Sequence, residues 1–229
     1  MNFVELFKDK FYFVGCDIEP VFRNGLEVKK TTFPKQVLEK VLKEKDFENN
    51  NDLQLNSWKE EYNSYALHTK CYAVRTGKIS GITVLDFDSL YAYKKFCMNV
   101  PDFESYFTVR TKKGYHVYCL YNPELKTCNN VLKNLNEIID IRNDPWTTNC
   151  GIIRGFCVLC PPSKYITLDG NNYSYEFLGG TIKPVPEYLF QCLNILKEKN
   201  IDNTPRSRCP FTKCEKCWPL LSLKLPIKM

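Results

Sequence analysis

Two carboxylates sit one residue apart in Asp86-Phe87-Asp88, directly after the apolar run Gly81-Ile82-Thr83-Val84-Leu85. That run reads as a buried strand, and side chains two apart on a strand point to the same face. Two anions projecting from one spot repel each other unless a cation neutralises them. Oxygen-only ligands suit Mg²⁺ or Mn²⁺, commonly shared with a substrate phosphate. A plainer role is open to Asp88, as the N-cap of the helical stretch Ser89-Leu90-Tyr91-Ala92-Tyr93-Lys94-Lys95-Phe96.

The elements around this pair supply further groups. Tyr106–Thr111 and Tyr115–Leu120 are β-prone runs joined by Lys112-Lys113-Gly114, a hairpin signature in which Gly114 is expected to take a positive φ. It sets two lysines at the turn and His116 just past it. Ile138-Ile139-Asp140-Ile141-Arg142 is a strand-like pentapeptide with Asp140 and Arg142 on one face, although an exposed edge strand would also explain a carboxylate there. Three strand-borne carboxylates can hold divalent ions, while imidazole and cations can hold a triphosphate. The combination points to two-metal phosphoryl chemistry.

Three segments in order resemble the motifs of the bifunctional primase-polymerase family, within the archaeo-eukaryotic primase superfamily. Tyr72–Asp88 is similar to the first motif, Thr108–Tyr118 to the second with its histidine, and Ile139–Arg142 with Val158–Tyr165 to the third and its Pro-Pro-Ser continuation. Pro184–Leu189 is similar to the segment that closes the family's domain. The likeness covers roughly residues 60 to 195. In place of the family's Gly-Gly or Ser-Gly pair stands Lys112-Lys113-Gly114, and after Asp140 the run Asn143–Cys150 replaces a short glycine-rich turn.

The resemblance implies an α+β, archaeo-eukaryotic primase-like fold: a mainly antiparallel, RRM-like catalytic sheet flanked by helices, with an N-terminal helical/αβ portion. It implies a DNA primase/DNA polymerase acting in replication. Asp86, Asp88 and Asp140 would hold two Mg²⁺ or Mn²⁺ ions, and His116, Lys112, Lys113 and Arg142 would grip the nucleotide, with Ser163 near the phosphates or the primer end. The implied partners are a single-stranded DNA template, nucleoside triphosphates and a replicative helicase. The expected organisation is a catalytic domain over 1–199, with an N-terminal portion over about 1–70, the catalytic sheet over about 71–185 and a closing helix over about 186–199. A Cys-rich tail occupies 200–229.

Composition bounds these expectations. The 229 residues carry a net charge of +6 with a pI near 8.6, which permits a polyanionic partner without requiring one. No apolar stretch approaches the ~18 residues needed to span a bilayer, and the N-terminus lacks a signal-peptide pattern. A soluble, intracellular protein is expected, in a reducing compartment that leaves the 12 cysteines as thiols. Cys157 and Cys160 have C-x-x-C spacing but lie in a strand-like run, so they are read as core. Cys209, Cys214 and Cys217 fall in a polar, turn-like stretch and are candidate zinc ligands, although a fourth ligand is not visible. Other functions would use some of the same residues. A nucleotide-sugar glycosyltransferase also employs a D-x-D pair, and a non-catalytic nucleic-acid-binding module would keep the basic surface. A P-loop is excluded, because Thr76-Gly77-Lys78 lacks the upstream glycine and precedes its strand.

Overall fold

A computed structural model describes residues 3–35, 37–38, 69, 71–132, 139–147 and 153–198. Cys209, Cys214 and Cys217 and the rest of the Cys-rich tail at 200–229 lie outside the described residues. In chain order the elements are α1 (Phe3–Phe7), β1 (Phe13–Arg23), β2 (Leu26–Thr32), β3 (Cys71–Arg75), β4 (Ile82–Phe87) and α2 (Leu90–Asn99). Then come β5 (Phe107–Arg110), β6 (Tyr115–Leu120), β7 (Ile139–Arg142), β8 (Trp146–Thr147), β9 (Ile153–Arg154) and β10 (Cys157–Cys160). The last are β11 (Lys164–Ile166), β12 (Asn172–Ser174), β13 (Glu176–Gly179) and α3 (Glu187–Glu198). The fold is α+β with mostly antiparallel sheets and few helices.

Two antiparallel sheets carry the structure, a five-stranded one in the order β13-β5-β6-β4-β7 and a four-stranded one in the order β10-β3-β1-β2. Strand alternation divides the five-stranded sheet into two faces. Ile82, Val84, Val109 and Tyr118 pack with Phe13, Val14, Ala73, Val74 and Val158 of the other sheet, so one core lies between the sheets. Leu85, Phe87, Val117, Ile139 and Ile141 form the opposite core with Phe96 of α2 and Leu189 of α3. Phe87 is fully buried there against Phe96, Phe103 and Tyr93. Its truncation to Ala would cost about 3–5 kcal/mol, so the strand bearing the carboxylates is firmly seated. No helix among the described residues is long and apolar enough to cross a membrane.

The N-terminal portion, expected as helical/αβ, contains the β1–β2 hairpin, and β1 pairs with β3 to enter the four-stranded sheet. Its turn is Asn24-Gly25, with φ of 52° and 74°, the left-handed pair that a tight hairpin turn requires. Gly114 also differs: it does not take a positive φ. A Cβ there would meet the Phe87 carbonyl oxygen at 1.9 Å, so the glycine lets the β5–β6 turn close onto the end of β4.

Candidate active site

The register of the five-stranded sheet brings the predicted residues together. Phe177, Val109, His116, Asp86 and Asp140 are successive cross-strand partners on β13, β5, β6, β4 and β7. One rung therefore runs from apolar to charged across the sheet. Directly opposed Cβ atoms lie about 4.5–5.5 Å apart, which puts the Asp86 carboxylate between His116 and Asp140. Arg142 is two residues from Asp140 on the same face, and its guanidinium contacts the Asp140 carboxylate and lies 3.6 Å from Asp86. His116 Nε2 is 3.4 Å from Asp86 Oδ1. Asp88 extends the same face beyond the strand. It is not the cap of α2, because Ser89 takes that position and its hydroxyl accepts from the Ala92 N–H.

These groups line a cleft of about 480 Å³ between the end of the five-stranded sheet and strands β2 and β10. Lys29 of β2, Arg154 of β9 and Tyr175 also line it. Lys29 is the residue that sequence reasoning missed. It donates to the Tyr175 hydroxyl and sits 5.1 Å from that ring's centroid. Solvent reaches Lys29 through the cleft mouth, but the enclosing walls lower its pKa, against the opposing pull of Asp86 and Asp88. Asn24-Gly25 was the available signal, since it announces the hairpin that carries Lys29 into the cleft.

Electrostatics separate the three carboxylates. Burial raises the Asp86 pKa, but His116, Arg142 and Lys29 outweigh it and hold the group at about 2. Asp140 is pushed up to about 6, mainly by burial, although Arg142 and the Asn130 N–H stabilise its anion. Asp88 is also raised, first by burial and then by the Asp86 charge. Two of the three anions are thus under-neutralised. Among the described residues the buried His116 Nδ1 has no hydrogen-bond partner, an unmet polar group at the cleft wall.

The donors fit a divalent cation in kind: hard carboxylate oxygens from adjacent strands, with excess negative charge that an ion would relieve. Among the described residues, no three His, Cys, Asp or Glu side chains already converge as a metal shell. Arg142 instead bridges Asp86 and Asp140 and supplies the countercharge.

Three expected ligands take other places. Lys112 is 3.6 Å from Glu27 and stands over the rings of Tyr165 and Tyr173, so it ties the β5–β6 turn to β2 and the β11–β12 hairpin and does not line the cleft. Lys113 also lies outside the lining, although its charge is felt by Asp88 and Lys29. Ser163 is fully buried, and its hydroxyl both accepts from the Tyr72 N–H and donates to the Tyr72 carbonyl. It fastens the segment after β10 to β3 and is not brought to the cleft. Cys160 is a fully buried core thiol as expected, whereas Cys157 is half-buried and lines the cleft; burial pushes both thiols up, Cys157 to about 12. Compared with protein-family models and with curated proteins, the chain matches no family model and no curated protein.

Proposed function

We propose that the cleft performs template-directed nucleotidyl transfer, as a primase-polymerase domain of the archaeo-eukaryotic type. The observation that carries this reading is the Asp140–Asp86–His116 rung with Asp88, in a cleft that Lys29, Arg142 and Arg154 also line. Carboxylates and cations lining one cleft suit a nucleoside triphosphate bound through divalent ions. The motif order in the sequence supports the same reading.

In the proposed mechanism Asp86, Asp88 and Asp140 would hold the divalent ions, which would lower the pKa of the attacking 3′-hydroxyl and stabilise charge at the α-phosphate. Asp86 is suited to that task because it stays ionised at every working pH. His116 and Lys29 grip the phosphate oxygens. Arg142, which bridges Asp86 and Asp140 on the same face, would offer its guanidinium to the phosphates. Tyr175 positions Lys29 by accepting its hydrogen bond.

Nucleotide kinetics test the grip. His116→Ala, and separately Lys29→Met, should each raise the nucleotide KM roughly 10- to 100-fold, the worth of one charge-assisted hydrogen bond. Template affinity should be unchanged. An unchanged KM with weakened template binding would assign these residues to the nucleic-acid strand and overturn the assignment.

A further inference from the structure

A second pocket, of about 400 Å³, lies beside the cleft and is lined by Pro123, Leu125, Lys126, Asp144, Pro145 and Trp146. The volume is within the range of ligand pockets. We infer that it is a slot for an unpaired nucleobase of single-stranded nucleic acid, placed where the strand leaves the catalytic cleft. This rests on the function proposed above and adds to it the path of the template.

Continuity with the cleft carries the argument. Trp146 and Arg154 are direct cross-strand partners on the β8–β9 ribbon, so their side chains rise from the same face about 5 Å apart. Arg154 lines the cleft and Trp146 lines the slot. Gly155 of the cleft also lies against Thr127, which lines the slot, and a Cβ at Gly155 would come within 2.1 Å of the Thr127 methyl. A strand whose phosphate meets Arg154 therefore delivers its next base to Trp146.

Charge and shape name the occupant. The slot offers an indole wall that is partly exposed, two proline rings and the Leu125 side chain, surfaces on which a base can stack. Its one carboxylate is committed to the chain itself: Asp144 accepts from the Lys78 N–H at 2.9 Å and from the Tyr121 hydroxyl at 2.7 Å. Lys126 is exposed and makes no ion pair among the described residues, which leaves a cation at the rim for a phosphate. Stacking surface plus cation, without a directed set of hydrogen-bonding groups, fits a sequence-independent hold on an unpaired strand.

The experiment measures the affinity of the full chain for a labelled oligothymidylate by anisotropy, beside nucleotide incorporation on a primed template. Trp146→Ala should weaken oligonucleotide binding roughly tenfold, Trp146→Phe much less because a ring is retained, and Lys126→Glu several-fold with a shallower salt dependence. The nucleotide KM should be unchanged in all three. Thermal melting identifies any variant that fails to fold, and the exposed Lys126→Glu change keeps the test valid if Trp146→Ala does. Wild-type oligonucleotide affinity in folded Trp146→Ala and Lys126→Glu would overturn the slot while leaving the cleft's function standing. A wild-type protein that incorporates no nucleotide, yet loses oligonucleotide affinity with Trp146, would overturn the polymerase reading and keep the slot. Failure of the wild type to bind the oligonucleotide at all overturns the slot.

Discussion

Replacing Asp86 and Asp88 together by Ala is expected to reduce nucleotide incorporation by roughly 10³-fold or more, because the phosphoryl oxygens lose their stabilising ions. The fold should survive, since two stability effects oppose each other. Removing Asp88 relieves its repulsion with Asp86, whereas removing Asp86 takes a countercharge from Lys29 and from Arg142, which keeps Asp140. The melting temperature should stay within a few degrees of wild type. A second readout separates ion binding from collapse: Mn²⁺ should raise the melting temperature of the wild type and not of the double variant, because only the wild type gains binding energy on folding. A folded double variant that synthesises at the wild-type rate would refute the role given to these carboxylates.

Asp140→Asn should produce the opposite pairing of effects, a more stable protein that is almost inactive. The folded-state pKa of Asp140 is raised from 3.8 to about 6. Between those values the folded chain keeps a proton that the unfolded chain releases, so stability falls as pH rises through the window and stays lower above it. Asparagine removes that titration and still offers an oxygen to the Asn130 N–H, while Arg142 keeps Asp86 and Asn129. At pH 8 the variant should gain up to about 3 kcal/mol, several degrees in Tm, and at pH 4 it should match the wild type. Asp86 works with the reverse sign. Held at about 2, it contributes stability that is present above pH 4 and lost as the pH falls toward 2. Melting curves across pH 3 to 8 for wild type and Asp140→Asn measure both, and a variant that is less stable than wild type at pH 8 would show Asp140 to be a structural anion.

The parts of this site that could be read from sequence are those written in local patterns. An apolar run ending in Asp-x-Asp, a β-prone pair around a lysine-glycine turn, and Asp140 with Arg142 on one face all became β4, β5–β6 and β7 with the expected facing. The amphipathic stretch after Pro186 became α3. What escaped depended on tertiary placement. Past Cys16 the β1–β2 hairpin is half-exposed and polar, so no clean alternation marks it, and only Asn24-Gly25 betrays it. Lys29 was invisible for that reason. Lys112 and Ser163 were misplaced because residue type alone does not say which partner is nearer. Glu27 with two tyrosine rings takes the first, and the Tyr72 backbone takes the second.

One assay tests the cleft's chemistry directly. Purified full-length protein is given a primed single-stranded template and labelled nucleoside triphosphates, with Mg²⁺ or Mn²⁺, with chelator, and with an unpaired template lacking primer. The account predicts template-complementary extension that requires the divalent ion and disappears in Asp86→Ala. Absence of incorporation with either ion, from protein that melts cooperatively and binds the triphosphate, would contradict it.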